Sequence, residues 1–191
     1  MTTTTPTTPT ATATGPGALP QTDALPTTGT ARFDAEMAAL WSGIVHDDPT
    51  TAEAAFFPEA AYLQVKAIPD PAADYVDRLI ADFRLDVAAA AAYLGPDRRE
   101  DRLVTVNVPA SEAAWIPPGA CYNKIGYWHD PGGRLIYLAG GQERSLGIAS
   151  FISWRGVWYV VHLGAVLRSS ALGIVDSPAT GPGVSAPPGG C

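Results

Sequence analysis

Polar side chains that could do chemistry are sparse in this sequence, and two short stretches hold most of them. In CYNKIGYW, residues 121–128, Asn123 and Tyr127 share one face of an expected strand with Ile125. In GVWYVVHL, residues 156–163, Tyr159 and His162 lie on another expected strand. A few polar anchors among apolar neighbours are typical of a small-molecule pocket. These four polar residues are therefore candidate pocket residues, although buried polar groups also satisfy one another without a ligand.

Histidine is the natural acid–base group near neutral pH, so His162 is the first candidate for proton transfer. A single histidine without a companion is more often structural, because general acid–base catalysis needs a positioned partner. His129 heads a turn and is expected to be exposed to solvent, and His46 ends a helix, where a partly positive ring suits the dipole. The histidines are scattered, and neither H-x-E nor C-x-x-C occurs. We predict no metal and no cofactor and assign no catalytic residue, and the residues favour a protein without catalytic activity.

Tryptophans form a second group of candidates. Trp115, in WIPP, and Trp128 could form a rim for a carbohydrate or a peptide, because tryptophan favours interfaces. Packing over the end of a sheet is the more ordinary explanation. Arg155, at the tip of an expected hairpin, could contact an anion, but an arginine at a tip is most often solvated. Trp115, Trp128 and Arg155 are the candidate rim residues.

The stretch that positions most of these residues is QERSLGIASFISWRGVWYVVHL, residues 142–163. A two-residue loop at Arg155-Gly156 favours a tight hairpin. It pairs Trp154 with Val157 and Ile152 with Tyr159, and, counted outward, Ala149 with His162. One face is then core. The other face is too apolar for open water and carries Phe151, Trp158, Val160 and His162, so a helix, a tail or a second subunit is expected to cover it. A homodimer through this sheet is one prediction.

The first half of the chain reads as helices. Apolar residues at helical spacing predict a helix over residues 33–45 with Thr30 as its N-cap, and Asp48-Pro49 starts a short second helix. Residues 59–68 fit a helix or a short strand, and we favour the helix. Asp70-Pro71 begins the longest helix, which Gly95 ends, with acids including Asp86 on its wet face.

From Leu103 onward the apolar period changes to two, which predicts strands. We expect them over 103–108, 113–116, 121–128 and 134–139, followed by the hairpin described above. A tight turn at Gly140-Gly141 joins the last of them to this hairpin. Helices followed by a run of antiparallel strands indicate an α+β domain with the helices packed on the sheet.

Composition divides the chain into a body and two tails. Residues 1–30 are rich in Thr and Pro and residues 171–191 in Pro and Gly, so both are predicted to be disordered, with a single domain over 31–170. The net charge of −7 argues against a nucleic-acid partner. Two cysteines permit one disulfide, Cys121 to Cys191.

Location is left open by these features. No run of 18 apolar residues is present, so we expect no transmembrane segment. Thr/Pro tracts are typical of envelope stalks, so the protein is expected to be secreted or envelope-associated if a signal peptide is missing from this chain, and cytoplasmic otherwise.

The order of elements, with the hairpin WRGVWY, resembles the NTF2-like (SnoaL-like) cone fold over residues 31–165. The resemblance implies a curved antiparallel sheet of four to five strands, roofed by the N-terminal helices, whose concave side often holds an apolar pocket. That fold hosts isomerases, hydrolases, dehydratases and non-catalytic modules, so it does not decide function. The catalytic acids of the family cannot be placed on this sequence, because no defining motif is matched.

Two functions are consistent with these features. The first is a non-catalytic module of the cell envelope that binds a small apolar ligand or an envelope component. The second is an isomerase or hydrolase acting on a small apolar substrate in the cone pocket.

Overall fold

A computed structural model describes residues 15–185 of the chain. Its helices are α1 Ala31–His46, α2 Pro49–Ala52, α3 Glu59–Val65, α4 Pro71–Asp74 and α5 Ala81–Leu94, with a π-helical turn, Tyr75–Ile80, between the last two. Its strands are β1 Arg102–Asn107, β2 Ala114–Ile116, β3 Tyr127–Asp130, β4 Gly133–Ala139, β5 Gln142–Ile148, β6 Ser150–Trp154, β7 Val157–His162 and β8 Ala179–Thr180. The predicted α+β class is confirmed.

The helices begin and end at the residues that the sequence indicates. The Thr30 side chain accepts a hydrogen bond from the Phe33 amide, and the Asp48 carboxylate accepts from Thr50 and Thr51. Asp70 caps α4 in the same way. Residues 59–65 are helical, as predicted.

The strands form two four-stranded antiparallel sheets within the described residues, in the orders β1-β4-β5-β8 and β2-β3-β6-β7. A long hairpin connects them, because β3 and β4 run opposite β5 and β6 in one unbroken register. Gly133 pairs with Ile148 in one sheet, and Asp130 pairs with Phe151 in the other. Between those pairs both strands are interrupted, at residues 131–132 and at Ala149, with a bend at Pro131. The expected curved sheet is thus divided by a bend, and the turn at Gly140-Gly141 lies at the far end of its hairpin with both glycines at positive φ.

The β6–β7 hairpin has the predicted register as far as Phe151 opposite Val160. Beyond that pair the register shifts by one residue, and Ser150 pairs with His162. The prediction that Ala149 faces His162 is therefore wrong, because a β-bulge inserts Val161 into β7. Since paired residues share a face, the bulge moves His162 onto the face of Ser150 and Ile152.

Both faces of this hairpin are buried within one chain. Phe151, Trp158 and Val160, on the face predicted to need a cover, are all almost fully buried. Phe151 packs tightly against Gly133, where no side chain would fit. The exposed apolar surface that motivates the prediction of a homodimer is therefore absent from this hairpin.

The strand predicted over residues 121–128 forms only at its end. Cys121 and Tyr122 have φ values of 50° and 55°, in a short 3-10 turn, and regular pairing starts at Tyr127. His129 lies in β3 and is buried, so its predicted exposure in a turn is wrong. The strand continues through Asp130 because it pairs there with β6.

Parts of the predicted tails pack on the domain. The Trp154 indole donates to the Pro16 carbonyl at 3.0 Å, and the Gln21 side chain donates to the Ser153 carbonyl at 2.9 Å. At the other end, β8 adds to β5, so ordered contacts extend beyond both predicted boundaries, 31 and 170. Cys191, and with it the disulfide that the sequence permits, lies outside the described residues.

Asp86 explains why the chain after residue 163 is held. Its carboxylate accepts hydrogen bonds from the backbone of Gly164 and Ile174, both at 2.8 Å, and from Arg168. Helical spacing predicts Asp86 on the wet face of its helix, but the residue is almost fully buried. The prediction is wrong because helical spacing shows which residues share a face but not what later segment covers that face.

Candidate functional site

A cavity of about 530 Å³ lies between the helices and the sheet that contains β2, β3, β6 and β7. Its apolar wall comes from α3, the π-helical turn, three strands and the chain after β7, and includes Val65, Leu79, Ile116, Ile152, Val161, Val166 and Leu167. Its polar wall includes Tyr62, Lys66, Arg78, Tyr127, His129, Ser150 and His162. Ligand pockets commonly measure roughly 300–1,000 Å³ and combine an apolar lining with a few polar groups. The cavity has both properties.

Three polar side chains meet on one face of the sheet. The His129 Nε2 atom lies 2.9 Å from the Ser150 hydroxyl oxygen, and Ser150 stands opposite His162 on the neighbouring strand. Each of β3, β6 and β7 thus contributes one member. We refer to His129, Ser150 and His162 as the His–Ser–His cluster. The bulge in β7 creates it, because a regular strand would turn His162 to the other side of the sheet.

His162 is held in its neutral form. Burial lowers the pKa of His162 to about 4, and the positive charges of Arg78, Arg168, His129 and Lys66 act in the same direction. At neutral pH the imidazole is therefore uncharged and able to accept a proton or a hydrogen bond.

Two cations border the same cavity. The Lys66 ammonium donates to the Cys121 carbonyl at 3.0 Å and to the Asn123 side-chain oxygen at 3.1 Å, and burial lowers its pKa. The Arg78 guanidinium pairs with Asp74 through two bonds of 2.7 and 2.6 Å. That pairing holds the pKa of the Asp74 carboxyl below its usual range.

The candidate pocket residues are placed differently from one another. Tyr127 and His162 line the cavity, whereas Asn123 is buried beside it and accepts the bond from Lys66. Burial raises the pKa of Tyr127, so its hydroxyl stays protonated. Tyr159 is buried outside the cavity wall and accepts a hydrogen bond from Arg32.

None of the candidate rim residues lines the cavity, and two of them, Trp128 and Arg155, contact the N-terminal segment. Trp115 and Trp128 pack edge to face, with ring centroids 5.6 Å apart. The Trp128 indole donates to the Asp23 carbonyl at 3.0 Å. Arg155 donates to the Pro20 carbonyl, and its amide donates to the Gln21 side chain at 2.6 Å. Trp128 and Arg155 thus hold the segment from Pro20 to Asp23 against the sheet.

Sequence reasoning missed Lys66, Arg78, His129 and Ser150 as cavity residues. Lys66 lies just after a helix and Arg78 on what reads as a wet helix face, so nothing in their local pattern marks them. The Asp130-Pro131-Gly132 sequence after His129 reads as a turn, and Ser150 carries no motif. Only the antiparallel pairing of β3 with β6, which spans more than 20 residues, brings His129 to Ser150.

Fold and site together define an α+β protein with a mainly apolar cavity, which opens to solvent beside Tyr122 and Leu167, and a polar cluster on the sheet wall of this cavity. No family model, no curated protein and no solved structure matches this chain. Over residues 15–185, no helix is long and apolar enough to cross a membrane. Within the same range, no three His, Cys, Asp or Glu side chains come together in a way that could hold a metal ion.

Proposed function

We propose that this protein binds a small, largely apolar molecule in the cavity beneath its helices. The observation that carries the proposal is the cavity itself, about 530 Å³ in volume and walled mainly by aliphatic side chains. Water molecules find few hydrogen-bond partners in such a space, whereas an apolar ligand that enters it is transferred out of the solvent, which is favourable. The resemblance of the element order to NTF2-like proteins supports the same interpretation.

A neutral fluorescent probe, N-phenyl-1-naphthylamine, tests the proposal. We expect its emission to rise on binding, and Val161→Phe, which narrows the cavity, to weaken that binding by at least about tenfold. Val104→Phe is the matched control, because Val104 is half exposed on β1 and does not line the cavity. Absence of probe binding to the unaltered protein, or equal weakening by both variants, would contradict the proposal.

A second candidate function, ester hydrolysis, is favoured by the contact between His129 and Ser150. With Nε2 unprotonated, the Ser150 hydroxyl donates to His129, which is the arrangement that activates a serine nucleophile. The serine oxygen would attack the carbonyl carbon of a small apolar ester while His129 takes its proton. His129 would then protonate the leaving alcohol, and water would release the acid from the acyl-serine.

Covalent labelling separates hydrolysis from simple binding. A fluorophosphonate is expected to add one phosphonyl group to Ser150, detected by intact mass and peptide mapping, and Ser150→Ala should abolish it. Ser145→Ala is the control, since Ser145 is buried in the other sheet and does not line the cavity. An unlabelled protein that still binds N-phenyl-1-naphthylamine would leave the non-catalytic function standing alone.

An envelope location remains part of the proposal and rests on the Thr/Pro-rich composition of residues 1–30. Fractionation of the source cells tests it, and recovery in the cytosol alone would oppose it.

A further inference from the structure

We propose that the ligand is an amphipathic anion, with an apolar body and a carboxylate that Lys66 and Arg78 receive. This inference rests on the proposed binding function and names the chemical class of the ligand. Three observations carry it: the hydrogen-bonding capacity left on each cation, the absence of acids from the described cavity wall, and the positive surroundings of His162.

Lys66 has both charge and a donor to spare. An ammonium group has three N–H donors, and within the described part of the chain Lys66 uses them on two neutral acceptors, the Cys121 carbonyl and the Asn123 side chain. No carboxylate forms an ion pair with it among the described residues. Lys66 is half-buried, and the one acid that acts on its charge, Asp74, is itself bound to Arg78, so a ligand anion would reduce the cost of placing this charge at the cavity.

Arg78 is held in place by its neighbours, yet part of its hydrogen-bonding capacity is unused among the described residues. Its Nε and one terminal nitrogen bind Asp74, and Tyr62 donates to the same carboxylate. The other terminal nitrogen, Nη1, makes no hydrogen bond to any residue that the structure describes. A guanidinium has five donors and receives carboxylates well. Asp74 and Tyr62 therefore orient Arg78 and leave the Nη1 group of its guanidinium available to a ligand.

The charge of the cavity is opposite to that of the whole protein. The chain carries a net charge of −7, yet the described cavity wall contains Lys66 and Arg78 and no Asp or Glu. Burial is the main reason that His162 stays neutral, and the positive charges of Arg78, Arg168 and Lys66 also disfavour its imidazolium. The hydroxyl groups on the same wall belong to Tyr62, Tyr122, Tyr127 and Ser150.

Three probes with one apolar body and different ends test the inference by calorimetry: octanoate, 1-octanol and octylammonium. We expect octanoate to bind at least about tenfold tighter than 1-octanol, and octylammonium to bind weakest. Lys66→Met should remove the preference for octanoate while retaining 1-octanol binding. Lys124→Met is the matched control, because Lys124 is exposed and, among residues 15–185, its ammonium binds the Leu63 carbonyl alone.

Arg78→Met and its control Arg84→Met repeat the test on the second cation, since Arg84 forms an ion pair with Glu53 and does not line the cavity. NMR of the unaltered protein gives a readout that needs no variant. A bound carboxylate favours the imidazolium, so saturating octanoate should raise the titration midpoint of His162.

The outcomes are distinguishable. If octanoate and 1-octanol bind equally, or octylammonium binds best, the anion inference is overturned and the binding function stands. If neither octanoate, 1-octanol nor N-phenyl-1-naphthylamine binds, the binding function itself fails. Octanoate that binds without moving the His162 midpoint lies elsewhere and also overturns the inference.

Discussion

Acidification tests the placement of His162 in the cavity wall. Its pKa is about 4 in the folded protein, against about 6.5 for an unperturbed histidine. Between these two values the unfolded chain holds a proton on this residue and the folded protein does not. Stability therefore falls as the pH falls through this window, since protons then favour the unfolded state.

The expected size is set by the two pKa values. Protonation of His162 in the unfolded chain lowers the free energy of unfolding very little at about pH 7. At about pH 5 it lowers the free energy of unfolding by about 2 kcal/mol more. Other groups also titrate in this range, so the informative quantity is a difference between two proteins. His162→Gln removes this titration and keeps a neutral polar side chain at the same place.

Urea unfolding of both proteins between about pH 5 and pH 7 measures that difference. We expect the free energy of unfolding to drop by about 2 kcal/mol more in the unaltered protein than in His162→Gln. NMR titration of the ring protons, with the variant as the assignment, should give a midpoint well below 6. Parallel pH dependence in the two proteins, together with a midpoint near 6.5, would refute the reasoning.

Three further predictions concern stability and are checked by urea unfolding. Burial raises the pKa of Asp130 to about 6, so the folded protein holds this proton where the unfolded chain does not, and stability falls as the pH rises from about 4 to about 6. Asp130→Asn should therefore stabilise the protein at neutral pH by up to about 3 kcal/mol, and an unchanged or lowered stability there would contradict this. Asp86→Ala removes one of the two carboxylates that pair with Arg168, leaving Asp82, and also removes the acceptor of two backbone amides. It should cost about 3–5 kcal/mol, so a loss below about 1 kcal/mol would count against this role of Asp86. Trp154→Phe removes the bond to Pro16 and should cost about 1–3 kcal/mol and speed proteolysis near residues 16–25; unaltered cleavage there would argue against the contact.

Local patterns in the sequence predict much of this fold because they depend on residues close in the chain. Caps at Thr30, Asp48 and Asp70 start helices through hydrogen bonds that span two or three residues. The hairpin at Arg155-Gly156 sets its own register for the same reason, and the predicted pairs hold from Trp154 to Phe151. The predicted register fails at the bulge in β7, because a bulge depends on the packing around the strand and not on the turn.

The cavity is harder to predict from the sequence than the fold, because its polar groups come from segments far apart in the chain. The sequence offers Tyr127 and His162 as candidates because they are polar residues among apolar neighbours, but the bulge in β7, and not the strand period, turns His162 to the face of the cavity. Lys66 and Arg78 belong to helical segments whose local pattern faces solvent. The side of a helix that a cavity exposes is set by the elements packed around it, and those pairings are invisible to a window of a few residues.

The π-helical turn at Tyr75–Ile80 divides the longest helix into two parts with separate helical phase. A π turn adds a residue to the helix, which rotates the N-terminal part by about 100° relative to the C-terminal part. Arg78 and Leu79 lie within this turn and face the cavity, while Phe83 and Val87 beyond it face the core. Substitutions in the turn can therefore change the surface that faces the cavity without altering how α5 packs in the core. Deletion of one residue from the turn, in contrast, would rotate Arg78 away from the cavity.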